Sequence, residues 1–199
     1  MLNIAVLVSG SGTNLQAILD HQAAGGNPHG RVTLVVASKP GVYALERARA
    51  AGVQGVVLER KAYRDGAAYD QALVELLHRH NIDLVVLAGF LCILGPAVID
   101  AYPQRILNVH PSLIPSFCGE GYYGLRVHQA ALQKGVKVTG ATVHFVNEIC
   151  DGGEILCQKA VEVLPGDTPE TLQRRVMEQA EWEILPRAIA QVCQRYDHQ

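Results

Sequence analysis

Continuous apolar runs alternate with helical-period stretches through the first hundred residues. Residues 4–8 form a continuous apolar run, the pattern of a strand covered on both faces, residues 82–88 another buried strand, and residues 31–37 and 53–58 also read as strands. Between them, apolar positions recur every three or four residues, as at Tyr69, Leu73, Leu76 and Leu77. This spacing predicts helices over residues 15–24, 43–51 (closed by Gly52) and 65–81, and Gly95-Pro96 opens a short one over 96–102. Such alternation predicts an α/β fold, a mostly parallel twisted sheet with helices on both faces. A further helix is predicted over 125–133, ending at Gly135. The pattern then changes: residues 136–146 and 155–164 alternate strictly and predict an antiparallel C-terminal hairpin. Asp167 with Glu170 three residues on reads as a capping box, and a long final helix follows to about residue 196.

One strand breaks the apolar rule. In residues 105–111, Ile106, Asn108 and His110 share a face, because strand side chains alternate in direction. Burying an amide and an imidazole side by side costs free energy unless both find partners, and a purely structural strand would use Val or Ile there. Pro111 cannot donate to a ladder, so the strand stops beside His110. That puts two polar groups where a parallel α/β sheet opens onto its ligand crevice.

Other stretches admit two readings each. Ser9-Gly-Ser-Gly-Thr-Asn14 joins the first strand to the first helix and presents N–H groups at a positive helix terminus, so it serves either an anion or merely a tight turn. Leu15 stands where a dinucleotide fingerprint needs its third Gly and no Gly-Lys-Ser/Thr is present, which favours a phosphate monoester over NAD or a Walker loop. Residues 87–94 are apolar but interrupted by Gly89, and suit core packing as well as a pocket wall. The Gly- and Tyr-rich loop 112–124 is a lid or an ordinary surface loop. His144 by itself reads as a satisfied core histidine, and Asp151, in Asp-Gly-Gly, as a turn residue. His78 and His80 lie about 200° apart on their helix and do not converge on a metal.

Composition narrows the function classes. The 199 residues are 49% hydrophobic, enough for one domain over 1–199, with 1–110 as a phosphate-binding half and 111–199 as the catalytic-loop half. Seventeen basic and 19 acidic side chains nearly cancel and no long like-charge run occurs, so neither nucleic acid nor a membrane is the expected partner. A small molecule is. Five cysteines without a Cys-x-x-Cys pair read as reduced thiols, and the first residues enter a strand pattern with no leader, so a cytoplasmic location is expected.

Several of these stretches, taken in order, are shared with a known family. Ser9-Gly-Ser-Gly-Thr-Asn14, Leu87-Ala-Gly-Phe90, Asn108-Val-His-Pro-Ser-Leu113, Gly140-Ala-Thr-Val-His-Phe145 and Asp151-Gly-Gly153 resemble the glycinamide ribonucleotide formyltransferases, folate-dependent enzymes of purine biosynthesis with a Rossmann-like formyltransferase fold. The resemblance implies Asn108, His110 and Asp151 as catalytic residues. It implies Ser11, Gly12, Thr13 and Asn14 as the phosphate loop, Glu181 near the ribose, and Leu87, Phe90, Leu91, Cys92, Ile93 and Leu94 with Asn108 along the folate, His144 supporting. Cys92 stands where some relatives carry Arg, and Glu154 where many have Pro. The substrates implied are glycinamide ribonucleotide and 10-formyltetrahydrofolate, with no metal. Amine attack on the formyl carbon would pass through a tetrahedral intermediate, with the Asn108 amide and a protonated His110 holding the oxyanion and Asp151 passing the proton.

The same Asn-x-His and Asp set resembles two other formyl-folate families. Methionyl-tRNA formyltransferases carry a further C-terminal domain and formyltetrahydrofolate hydrolases an N-terminal regulatory one, and neither is expected in this chain. The hydrolase and a non-catalytic folate or nucleotide module stand as alternatives.

Overall fold

The computed structural model describes residues 1–197. Seven strands form one sheet in the order β3-β2-β1-β4-β5-β6-β7. β1 (Leu2–Val8), β2 (Gly30–Ala37), β3 (Gln54–Val57), β4 (Leu84–Leu87) and β5 (Ile106–His110) are mutually parallel. β6 (Val138–Phe145) and β7 (Ile155–Glu162) run antiparallel at one edge, as their alternation predicts. Strand order reverses between β1 and β4, so the loops after those strands part there and open a crevice.

β1 and β4 bury both faces, whereas β3, at the edge of the sheet, is largely exposed. Ile4, Val6 and Val8 join one core with Leu15, Ile18, Ala44, Leu172 and Ile189, while Ala5 and Leu7 join another with Tyr69, Leu73, Leu77 and Val98. Helices α1 (Thr13–Ala23), α2 (Tyr43–Ala50), α5 (Leu125–Lys134), α6 (Pro169–Val176) and α7 (Trp182–Asp197) therefore cover the first face. α3 (Gly66–Arg79) and α4 (Pro96–Ala101) cover the second. Helices lie on both sides of a largely parallel sheet, as the sequence pattern predicts.

Two details depart from expectation in the last helical region. The cap falls one residue later than Asp167: Thr168 Oγ1 accepts from the N–H of Thr171, whose hydroxyl accepts in turn from the N–H of Thr168. Asp167 is unavailable as a cap because its carboxylate accepts two bonds from Arg175, at 2.5 and 2.6 Å, and one from the Leu164 N–H. The single long helix is also interrupted. Met177–Glu181 forms a π-helical turn between α6 and α7. Pro186 lies in the second turn of α7 and has no N–H for the carbonyl of Trp182, a recognised cause of irregular helix geometry. The wide turn buries two consecutive residues, Ala180 and Glu181, which a regular helix surface does not do easily.

Candidate active site

The strand pairing brings the polar residues together. β5 and β6 align Asn108 opposite His144, so both side chains leave the sheet on the same face as neighbours. Asn108 Nδ2 lies 3.1 Å from His144 Nε2 and 3.4 Å from Asp151 Oδ1. The loop after β6 folds back over this face and delivers Asp151, whose other oxygen stands 3.4 Å from His110 Nδ1. Asp151 holds a left-handed backbone with φ 53°. At Gly153 a Cβ would overlap the Phe145 carbonyl oxygen, so glycine is required for the fold-back. Turn chemistry and catalytic placement are thus one feature at Asp151.

His144 is 1% exposed and His110 4%. His144 Nδ1 donates to the Phe145 carbonyl at 2.8 Å, which leaves Nε2 to accept from Asn108. The core-histidine reading describes its burial, but its partners are the site itself. His110 Nε2 donates to the Phe117 carbonyl at 2.9 Å, and the Gly119 N–H donates to Asp151 Oδ2 at 2.9 Å. Loop 112–124 therefore contributes two backbone groups to the cluster, which no side-chain motif in that loop announces.

Burial lowers the pKa of His110, and the nearby Asp151 carboxylate and Phe117 carbonyl oppose this without reversing it. This direction favours the neutral ring over the protonated His110 expected from the sequence. For Asp151, burial pushes the carboxyl up, but the proximity of His144 and His110, which attract the carboxylate when protonated, and the Gly119 N–H outweigh it and leave the pKa below the usual carboxylate value.

The glycine turn after β1 forms a second cluster. Gly12 has φ 75°, and a Cβ there would stand 2.6 Å from that of Ala44, so both conformation and contact demand glycine. Among the described residues no acceptor takes the N–H of Ser11, Gly12, Thr13 or Asn14, and these groups gather at the start of α1. Asn14 Nδ2 donates to Glu181 Oε2 at 2.7 Å, so two residues expected at the ribonucleotide, 167 positions apart, meet directly. Asn14 Oδ1 is buried without a partner. Burial pushes the Glu181 carboxyl up to about 7, although the Asn14 bond pulls it down. Thr13 Oγ1 faces the Met177 sulfur at 3.9 Å.

The segment after β4 joins the first cluster to the second. The Ser9 N–H donates to the Gly89 carbonyl, and Ser9 Oγ accepts the Leu91 N–H at 2.9 Å. Leu87 and Leu94 are buried and Phe90 packs on the second core, while Leu91 and Ile93 are 64% and 76% exposed; Cys92 is half-buried. Leu87, Phe90 and Leu94 thus serve core packing, while Leu91 and Ile93 are left as exposed apolar side chains. A cleft of about 360 Å³ lies between the end of α4 and the loop after β6, lined by Ile99, Phe145, Val146, Asn147 and Gly153 with carboxylates of Asp100, Glu148 and Glu154. The resemblance places the folate's pterin against the loop around Asp151, which supplies Asn147, Glu148 and Gly153 here, whereas the walls Ile99, Asp100, Phe145 and Val146 are not singled out as a pocket by the sequence. The signal available was position: Val146 and Asn147 directly follow the strand that carries His144.

Comparison with known proteins matches these features to a family. A family model described as formyl transferase covers residues 2–189. The chain is 40% identical over 195 residues to the chloroplastic phosphoribosylglycinamide formyltransferase of Arabidopsis thaliana, covering 96% of this chain and 65% of that protein. It is 42% identical over 190 residues to the trifunctional purine biosynthetic protein adenosine-3 of Bos taurus, covering 96% of this chain and 18% of that one. The chain thus spans less than two thirds of either curated relative. The crystal structure of glycinamide ribonucleotide transformylase 1 from Symbiobacterium toebii superposes with a TM-score of 0.92 at 47% identity, over 98% of this chain and 88% of that one. With a family match over nearly its whole length, and with Asn108, His110 and Asp151 gathered on one sheet face, the chain belongs to the formyl transferase family.

Proposed function

We propose that this protein is a phosphoribosylglycinamide formyltransferase, moving the formyl group of 10-formyltetrahydrofolate to the amine of 5'-phosphoribosylglycinamide in purine biosynthesis. The observation that carries the reading is the convergence of Asn108, His110 and Asp151 within 3.4 Å contacts, in a chain of this family whose β1 turn leaves four N–H groups unpartnered. Ser11, Gly12, Thr13 and Asn14 take the substrate phosphate, because free N–H groups at a helix start are an anion site. Glu181, turned inward by the π-helical segment, faces the ribose hydroxyls beside Asn14.

The residues also suit a pterin. The cleft between α4 and the loop that carries Asp151 is lined by the apolar Ile99, Phe145 and Val146 and by Asp100, Glu148 and Glu154, acidic residues that suit the amino and ring N–H groups of a flat heterocycle. The exposed Leu91 and Ile93 beside half-buried Phe90 and Cys92 supply apolar contact for the rest of the folate.

An α-amino group with pKa of roughly 7.7–8 is partly a free nucleophile near neutrality, so a strong base is not needed. Asn108 keeps its bond to His144 and turns the amide hydrogen of its longer contact, 3.4 Å from Asp151, to the charge that develops on the formyl oxygen, an interaction worth about 2.7–4 kcal/mol in comparable sites. His110 takes up the proton that the attacking amine loses as its nitrogen bonds to the formyl carbon. The imidazolium points Nδ1–H at Asp151, whose ionised carboxylate stabilises it, and the proton passes on to the folate N10 as the carbon–N10 bond breaks and the tetrahedral intermediate collapses to the formylated product. His144 holds Asn108 in register. A cytoplasmic setting suits the five unpaired thiols, and among the described residues no helix is long and apolar enough to cross a membrane.

The test is spectroscopic deformylation of a 10-formyl folate with and without glycinamide ribonucleotide. Release that requires the amine supports the proposal. Equal release without it would make the protein a hydrolase, and ligand-induced stabilisation with no release would leave a binding module.

A further inference from the structure

The first turn of α2 grips three consecutive residues of the β1 turn. The Ala44 N–H donates to the Gly10 carbonyl, Arg47 Nε donates to the Ser11 carbonyl at 2.9 Å, and the Ala44 side chain packs against Gly12. Arg47 is itself fixed. Its Nη1 donates to Gln16 Oε1 at 2.9 Å, and its guanidinium lies 4.9 Å from the centre of the Tyr43 ring. Among the described residues no carboxylate pairs with it, so its charge is not neutralised by the protein.

A trans peptide is planar, with its C=O and N–H on opposite sides. Drawing the Gly10 and Ser11 carbonyls towards α2 therefore turns the N–H groups of Ser11 and Gly12 away from α2. Those are two of the four N–H groups without a protein acceptor. We infer that Arg47 is a positioning residue that makes the enzyme specific for a phosphorylated acceptor, by holding the Ser11–Gly12 peptide so that its N–H meets the phosphate. The guanidinium stays behind the loop, orients it, and adds positive potential to the anion site. Neither the glycine motif nor the helix terminus alone sets this orientation, because the glycines permit several.

The inference rests on the phosphate reading of the loop, and one experiment separates the two. Steady-state kinetics are measured for the wild type, Arg47→Ala and Arg47→Lys with glycinamide ribonucleotide and with its dephosphorylated riboside. Arg47→Ala is expected to raise KM for the ribonucleotide about tenfold, the scale of one charged hydrogen bond, with a much smaller change in kcat and none in kcat/KM for the riboside. Arg47→Lys, which keeps one donor for the Ser11 carbonyl, is expected to recover part of the loss. A preference for the ribonucleotide that is undiminished in Arg47→Ala overturns the role of Arg47 and leaves the phosphate loop standing. Equal losses on both acceptors also overturn it, since they mark a general structural role. A wild type indifferent to the phosphate overturns both readings.

Discussion

At the residue scale, the site is a set of polar groups that satisfy one another. Asn108 spends its amide hydrogens on His144 and Asp151, His110 donates to Phe117, and Asp151 accepts from Gly119. Buried groups in such a network are held in place before a ligand arrives, which lowers the reorganisation needed during reaction. Asn108→Ala should therefore lower kcat by about 10²–10³ with little change in either KM, checked by steady-state kinetics; near-normal turnover would remove its assigned role. Asp151→Asn removes the carboxylate that opposes the burial-driven fall in the His110 pKa. The low-pH limb of kcat/KM should then move to lower pH while the plateau falls about tenfold or more, and an unmoved limb would separate Asp151 from His110. Asn108 and His110 were legible in the sequence because an amide and an imidazole interrupt an apolar strand just before Pro111. Asp151 was legible only through the resemblance of the ordered motifs, since Asp-Gly-Gly by itself is equally a turn. The His110 protonation state was not legible, because it depends on burial that no local pattern encodes.

At the scale of elements, type was more legible than termini. Parallel strands announced themselves by continuous apolar runs, and the hairpin by alternation. The cap of α6 was misplaced because the side chain best suited to it by sequence, Asp167, is committed to Arg175 through tertiary structure. This difference is measurable. Thr168→Ala should destabilise the protein by about 1 kcal/mol, whereas Glu170→Ala should change stability by less than about 0.5 kcal/mol. Urea midpoints for the two variants distinguish the observed cap from the expected one, and a larger loss at Glu170 would contradict the Thr168–Thr171 pair. The π-helical turn escaped sequence reading because an apolar pattern of period 3.6 continues on both sides of it. Pro186 was the available sign that the helix could not be regular throughout.

At the scale of the whole molecule, chain order and spatial order diverge, and this divergence creates the site. Strand order cannot be read from periodicity, so nothing local says that β1 lies beside β4 or that α1 meets the π-helical turn. Their meeting places the Glu181 carboxylate 2.7 Å from Asn14, in surroundings that raise its pKa from 4.5 to about 7. A carboxyl whose pKa is raised on folding binds protons more tightly in the native state. Its contribution to stability is fully present below about pH 4.5 and is lost as pH rises to about 7, above which the loss is constant. A shift of this size corresponds to about 3 kcal/mol. Glu181→Gln keeps an acceptor for Asn14 but cannot ionise. The variant should therefore gain stability relative to the wild type as pH rises from 4.5 to 7, by up to about 3 kcal/mol, and hold that gain at pH 8. Taking the difference between two proteins at each pH cancels the histidines and surface carboxylates that also titrate there. Urea titrations across that range supply it, and a difference that does not vary with pH would mean that Glu181 is ionised at no unusual cost. A positive result has a functional corollary: a ligand hydroxyl or amine that hydrogen-bonds the ionised carboxylate relieves part of this cost on binding. Acceptor binding should then stabilise the wild type more at pH 8 than at pH 5, and Glu181→Gln should lose that dependence.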